Sequence, residues 1–308
     1  MRSKPLVSAV VPVYNGESFI AETLQSLLAQ SRPFDEIIVV DDGSTDLTPD
    51  IVRTFKKVKL IRTSHVERVA ARNIGWKAST GNIIAFIDSD LVLVKDWLKE
   101  VLKGFEQGHV AVVDRRAVYQ PKTYIAKMND HFFDLRYARH YHPFTLWIIR
   151  RDILELLRGY DPSVVGIEDA DLADRLRVQG YDIYLASKAI AYHKGEPVTL
   201  FEELRRHFWF GSHILPYWKK LLHVKRPSRS LFFLFITGLF FLWPAIAISL
   251  FFLSYLYVFL KDLFVWKMKL RYLFVHPFIA VASEFVYAYG VLYGLLFGPL
   301  RLVRKHIS

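Results

Sequence analysis

Asp88 and Asp90 stand two residues apart, directly after the apolar run Ile83–Ile87. Carboxylates on alternate residues of a turn can hold a divalent cation, or one can hold the cation while the other accepts from a hydroxyl. Hard oxygen ligands suit Mg2+ or Mn2+, either of which could bridge to a diphosphate. Asp also favours turns and helix starts, so a strand-ending turn before a helix is the plainer reading of Asp90. A second acidic group, Asp41-Asp42-Gly43-Ser44-Thr45-Asp46, follows the buried-strand pattern of Glu36–Val40. A third, Glu168-Asp169 with Asp171, opens a segment in which Leu172 and Leu176 repeat at helical spacing and Gly180 supplies a stop. Acids in the first turn of a helix are favoured by its dipole, which by itself accounts for this group.

Rigid elements must hold such groups, and residues 6–100 alternate strand and helix. Leu6–Val13 is a continuous apolar run suited to a strand buried on both faces. Glu17–Gln30 places Ile20, Leu24 and Leu27 at helical spacing, and Glu36–Val40 reads as the second buried strand. Thr48-Pro49 opens a helix as N-cap and first-turn proline. Lys59–Arg62, Arg68–Ala78 and Asn82–Ile87 follow as strand, helix and strand. This order predicts a mostly parallel sheet with helices on its faces. Ligands of open α/β sheets bind beyond the carboxyl ends of the strands, where this chain puts its polar loops and its acids. No G-x-G-x-x-G follows any strand, so a dinucleotide fingerprint is absent.

The chain of 308 residues is basic, with a formal net charge of +11, yet the charge is confined. Residues 201–308 hold 14 Lys+Arg against 4 Asp+Glu, leaving 27 against 26 in the first 200. A nucleic-acid binder would line a folded face with cations, so that class is set aside. The chain has no cysteine, which excludes a disulfide framework, a thiolate nucleophile and a Cys-based zinc site.

The basic third is also the apolar one. Leu231–Leu260 carries no charge, and Tyr272–Leu300 carries only His276 and Glu284 as ionisable groups. A helix over the first run is about 45 Å long against ~30 Å of hydrocarbon, so it spans with tilt or bends at Pro244. Lys219, Lys220, Lys225, Arg226 and Arg229 precede this span, and Arg301, Arg304 and Lys305 follow the second. Both flanks suit the cytoplasm with two crossings; the connecting loop, with Lys261, Lys267, Lys269 and Arg271 against Asp262, suits the far side poorly. Leu204, Phe208, Gly211, Leu215, Trp218 and Leu222 share one helical face, which either lies in the membrane interface or packs on the domain. The N-terminus has no long apolar core followed by a small-residue cleavage site, so no signal peptide is read.

VPVYNGE, VVDDGSTD, AARNIGWKASTGNIIAFIDSD and GIEDADLADRLRVQGY, in this order and spacing, resemble glycosyltransferase family 2 with its GT-A fold. The resemblance covers roughly residues 5–215. It implies an inverting transferase that uses a nucleotide-diphosphate sugar and a divalent cation, Mg2+ or Mn2+. By the same resemblance Pro12, Tyr14 and Glu17 lie beside the nucleotide, and Asp42 contacts base or ribose, though a turn-capping Asp42 is equally compatible. Arg68 or Arg72 approaches base or diphosphate; Asp88 lies nearer ribose and metal, and Asp90 is the direct metal ligand. Asp169 matches the base that takes the acceptor's proton, and His193 a position that completes metal coordination or simply hydrogen-bonds. Arg205 and Arg206, in LRRHFWFG, fall where related membrane enzymes contact diphosphate or lipid phosphate. The sequence there departs from the QxxRW of processive synthases, which argues against polymer synthesis.

The expected organisation is a GT-A-like domain over 1–197, an amphipathic juxtamembrane segment over 198–230 and a two-span transmembrane region with a basic tail over 231–308. Residues 109–150 are the least readable: Arg115, Arg116, Arg136 and Arg139 either meet an anionic lipid-linked acceptor or are solvated surface arginines. Phe132, Phe133, Tyr137, Tyr141, Phe144 and Trp147 either line an acceptor cleft or pack as core. The expected protein is integral to the membrane with its catalytic domain facing the cytoplasm. It moves sugar to a hydroxyl of a lipid-linked or lipid glycan. The alternatives are a polyprenyl-phosphate sugar synthase, whose anionic acceptor needs no base, and an inactive transferase-like binding protein held at the membrane.

Overall fold

A computed structural model describes residues 5–138, 147–164, 166, 168–214, 232, 235–236 and 244–305. Two compact units emerge, one of residues 1–120 and 136–196, the other of residues 121–135 and 197–308.

The first unit is built on an eight-stranded sheet in the order β3-β2-β1-β4-β7-β6-β8-β5. β1 (Val7–Val13) pairs in parallel with β2 (Glu36–Asp41) and β4 (Ile83–Phe86), and β2 with β3 (Lys59–Arg62). Beyond β4 the sheet becomes mixed. β7 (Trp147–Arg150) runs antiparallel to β4 and to β6 (Ala111–Val118), while β6 runs parallel to β8 (Ile183–His193). β5 (Leu91–Leu93) closes the edge antiparallel to β8. The mostly parallel sheet read from the sequence is present, with three antiparallel pairings in its second half.

Period-two alternation sorts the apolar residues of β1 to the two faces. Val7, Ala9, Val11 and Val13 join a cluster with Ile20, Leu24 and Leu27 of α1 (Ile20–Leu28), Val52 of α2 (Thr48–Arg53) and Trp97 and Val101 of α4 (Trp97–Glu106). Val10 points the other way, among Val69 and Trp76 of α3 (Arg68–Ala78), Ile153 of α6 (Arg151–Leu156) and Leu172 and Leu176 of α7 (Glu168–Val178). Helices therefore cover both faces, which is why the strands read as unbroken apolar runs.

Two details differ from expectation. Thr48 is the first residue of α2, and its hydroxyl accepts from the Gly16 N–H at 2.8 Å instead of capping the helix. Asp46 does the local work by accepting from the Thr48 N–H at 3.0 Å. Asp90 leads into the short strand β5 before any helix begins.

The second unit contains α5 (Tyr124–Ala138) up to Leu135, α8 (Leu200–Ile214), α9 (Pro244–Leu260), a π turn over Lys261–Trp266 and α10 (Val275–Lys305). Pro244 is the first described residue of α9, and the stretch just before it lies outside the described residues. Among the described residues two segments, Ile246–Trp266 and Leu270–Tyr293, are long and apolar enough to cross a membrane, with mean hydropathies of 1.8 and 1.3. The first extends past the charge-free run, through Lys261 and Asp262. α8 and α10 cross closely: a Cβ on Gly211 would lie 2.1 Å from the Tyr287 carbonyl oxygen, and one on Gly290 would lie 2.3 Å from that of Phe208. The apolar face predicted for α8 is thus occupied by a helix at Phe208 and Gly211. Leu215, Trp218, Leu222 and the cations Lys219, Lys220, Lys225, Arg226 and Arg229 lie outside the described residues, as do Arg139, Tyr141, Phe144 and much of the first apolar run.

Candidate active site

β1 and β2 end level, with the Asp42 N–H donating to the Val13 carbonyl at 2.8 Å, whereas β4 stops about three residues earlier, with Phe86 opposite Val10 and the Ile87 N–H donating to the Val10 carbonyl at 2.9 Å. Three loops carrying polar side chains leave the sheet at these ends. On one flank Pro12 is buried within β1, and Tyr14 projects with its ring half exposed, 4.3 Å from the ring of His65. Asp42 is buried, and its carboxylate accepts from the Thr63 hydroxyl (2.7 Å), the Val66 N–H (2.6 Å) and the Glu67 N–H (2.9 Å). Those bonds hold a loop in which His65 and Glu67 have φ of 58° and 79°, values that cost energy for non-glycine residues. Glu17 accepts from the Leu47 N–H at 3.0 Å, ahead of α2.

At the centre, one buried guanidinium organises three acids. Arg72 of α3 donates to Asp88 at 2.7 Å and to Glu168 at 3.0 Å, and lies 3.8 Å from Asp169. Arg68, one helical turn earlier, pairs with Glu168 at 2.5 Å, and Arg116 of β6 reaches the other oxygen of Asp88 at 3.3 Å. Burial alone would raise Asp88, but Arg72 and Arg116 hold it well below the usual carboxylate range. Burial likewise opposes ionisation of Glu168, and Arg68 and Arg72 reverse it. For Asp169 burial wins: its carboxyl is pushed up to about 6, against the pull of Arg72 and with the help of Glu168. Tyr160 lies beside it, its hydroxyl 3.4 Å from Asp169, and the Arg72 guanidinium sits 5.3 Å from the Tyr160 ring centroid.

On the other flank, the β5–β8 pairing sets Leu91 opposite His193 and so brings Asp90 against that imidazole. Asp90 Oδ2 and His193 Nε2 are 3.3 Å apart, and His193 Nδ1 is 3.2 Å from Glu196. Burial lowers the affinity of His193 for a proton, but the carboxylates of Asp90 and Glu196 raise it further than burial lowers it. A Cβ on Gly195 would lie 2.3 Å from Asp90 Oδ2, so a larger residue there would push that carboxylate from its place beside His193. Adjacent ligands of an octahedral cation with bonds of about 2.1 Å are roughly 3 Å apart, a spacing the Asp90–His193 pair meets. One carboxylate oxygen and one imidazole nitrogen are donors that could hold Mg2+ or Mn2+, and Glu196 stands 3.2 Å from the far ring nitrogen. Asp88 differs, since both its oxygens face arginines. No complete cluster of three ligating side chains forms among the described residues.

Residues 8–164, just over half of the chain, match the model of the family described as Glycosyl transferase family 2. The chain belongs to glycosyltransferase family 2. Among its relatives, glycosyltransferase AglE of Haloferax volcanii is 27% identical over 228 residues, which cover 70% of this chain and 74% of that protein. An uncharacterised glycosyltransferase of Haemophilus influenzae is 38% identical over 113 residues, 35% of this chain and 45% of its own length. The chain spans less than half the length of several curated relatives it matches. A mannosyltransferase from Pyrobaculum calidifontis, solved with GDP-Man and Mn2+, shares the fold with a TM-score of 0.64 over 96% of this chain and 88% of its own, at 20% identity.

In this family 2 chain the structure brings Arg68, Arg72, Asp88 and Asp169 into one cluster, with Asp90 and His193 as a second pair. Arg205 and Arg206 belong to the second unit, where Arg206 pairs with Glu203 at 2.9 Å and Arg205 is exposed. Several residues escaped sequence reasoning. Arg116, read by default as solvated surface, is buried against Asp88, and its neighbour Asp114 is buried with one oxygen accepting from the Trp97 indole N–H at 3.2 Å. The signal was available, since Asp114 and Arg116 interrupt an otherwise apolar strand as Asp88 and Asp90 end one. Tyr160, His65 and Gly195 carry no comparable mark in the sequence.

Proposed function

We propose that this chain is a membrane-bound inverting glycosyltransferase that transfers a sugar from a nucleotide-diphosphate sugar to a hydroxyl of a lipid-linked or lipid glycan, with a divalent cation. The carrying observation is the divergence of two neighbouring carboxylates. Glu168 is held ionised by two guanidiniums, whereas Asp169 is pushed up to about 6 by burial. Such pairs separate an anchoring acid from one that exchanges protons near neutral pH. In the proposed step the acceptor oxygen bonds to the anomeric carbon while the bond from that carbon to the diphosphate oxygen breaks. The hydroxyl proton passes to Asp169, and the bonding pair departs with the diphosphate.

Asp90 and His193 would hold the cation, and when bound it supplies Lewis-acid stabilisation of the leaving diphosphate. Tyr14 offers an exposed ring for a base, next to the loop that Asp42 holds. The two apolar segments of the second unit support a membrane location and so an acceptor with a lipid anchor.

The test is incubation of the purified chain with labelled nucleotide sugars and extracted lipids, with mass spectrometry of the product. Wild type should give a glycolipid, Asp90→Ala none, and Asp169→Asn at least a hundredfold less onto a hydroxyl acceptor. Full transfer by Asp90→Ala would remove the cation site. Near-normal turnover of Asp169→Asn onto a polyprenyl phosphate would replace the hydroxyl acceptor by the phosphate.

A further inference from the structure

Where the two apolar segments meet, the chain turns over residues 261–274, taking in the end of the first and the start of the second, and this turn is not loose. Asp262 is buried and bonds His276 at 2.7 Å, and the Met268 N–H donates to the Asp262 carbonyl at 2.9 Å. α5 docks onto it. Met128 packs in one buried cluster with Met268, Tyr272 and Ile279, flanked by Ile125, Phe132 and Leu135. The Phe132 ring lies 5.3 Å from Trp266 and 5.0 Å from His276. Polar bonds tie the same elements: the Tyr124 hydroxyl donates to the Arg271 carbonyl at 2.5 Å, and the Lys269 N–H to His131 Nε2 at 3.1 Å.

α5 is covalently committed to one side of any membrane. It leaves the sheet after β6 and returns to it at β7. Its 15 residues make a helix of about 22 Å, short of ~30 Å of hydrocarbon, and residues 139–146 could return across that thickness only as a fully extended single strand, whose unpaired backbone groups lipid does not tolerate. Lys127, Asp130 and Asp134 along it add the cost of placing charge in lipid. Whatever packs on α5 therefore shares the side on which the sheet is made. The surface of the turn agrees. Lys267, Lys269 and Arg271 are exposed, interleaved with exposed Phe264, Leu270 and Phe274. Cations among apolar side chains are the pattern that seats a segment among anionic lipid headgroups.

We propose that the turn 261–274 lies at the anionic lipid surface on the same face of the membrane as the sheet, not on the opposite face as two simple crossings would put it. This also accounts for the cationic loop that fitted the far side poorly. The proposal rests on the membrane location given above, and the experiment separates the two.

Because the chain has no cysteine, single substitutions report position directly. Lys267→Cys and Lys269→Cys mark the turn, and Lys56→Cys, exposed before β3, marks the sheet side. Sealed vesicles bearing each variant are treated with a membrane-impermeant maleimide before and after detergent. All three should label to the same extent before detergent, within about twofold. A turn labelled at least tenfold more only after detergent, while Lys56→Cys labels before it, would overturn the inference and leave the membrane reading standing. A separate aliquot is extracted with alkaline carbonate, where release of the chain would overturn both.

Discussion

Arg72→Met is the substitution with the largest consequence that the structure predicts. Arg72 is 4% exposed and Glu168 3% exposed, and the first donates to the second at 3.0 Å and to Asp88 at 2.7 Å. Removing one partner of a buried ion pair costs about 3–5 kcal/mol when the other is left uncompensated, and Arg68 on Glu168 with Arg116 on Asp88 keeps this loss near the lower end, about 3 kcal/mol. For a unit of roughly 180 residues, each kcal/mol is worth about 2–4 °C, so the midpoint should fall by about 6–12 °C. Met preserves most of the side-chain volume, which keeps cavity formation out of the comparison.

A double-mutant cycle isolates the electrostatic part. Glu168→Gln removes the carboxylate that Arg72 leaves behind, so the double variant should lose about 1–3 kcal/mol less than the sum of the two singles. The assay is thermal unfolding of the purified chain in detergent, followed by near-ultraviolet circular dichroism. An Arg72→Met variant within 1 kcal/mol of wild type, or strictly additive losses, would refute the view that this guanidinium holds the cluster together.

Two pH effects follow from the same neighbourhood. With Asp169 at about 6, the base is roughly nine-tenths ionised at pH 7 and one-tenth at pH 5, so kcat/KM should fall about tenfold between them; a flat profile would exclude Asp169 as the group that ionises. Burial also pushes Asp114 up to about 6 from 3.8, the sign of a group whose contribution to stability is full below the unfolded value and lost as pH rises through about 6. That contribution is about 3 kcal/mol, so Asp114→Asn should flatten the loss of stability between pH 4 and 8 by up to that amount, and an unchanged pH dependence would contradict the assignment.

The first half of the sheet was legible because its physics is local. β3 and α3 begin and end where the sequence reading puts them, β1 and β2 differ by a residue at one end, and β4 by a residue at each end. The second half was not, for reasons that lie in tertiary pairing. β5 has three residues, too few for a pattern, and exists because β8 offers it an edge. β6 holds Asp114, Arg115 and Arg116 in a strand that is otherwise apolar, with a register shift between Asp114 and Arg115. A run of charges is read as surface, and here two of the three are buried. Asp42, Asp88 and Asp90 were visible at strand ends and Glu168 and Asp169 in the first turn of a helix, whereas the differences in their proton affinity were not.

Those differences depend on the company each acid keeps. Asp88 faces two guanidiniums and Glu168 faces two, so neither can take up a proton near neutral pH. Asp114 has a single arginine at 3.6 Å and holds its proton to about 6, but with its side chain wholly buried no acceptor reaches it. Asp169 shares that proton affinity, its one guanidinium is 3.8 Å away, and about a fifth of its side chain stays open. Of the four, Asp169 alone combines a pKa within reach of neutrality with a surface that an incoming hydroxyl can meet. The proton affinity of each acid is thus set by where α3 and β6 place their arginines, not by the spacing of the acids along the chain.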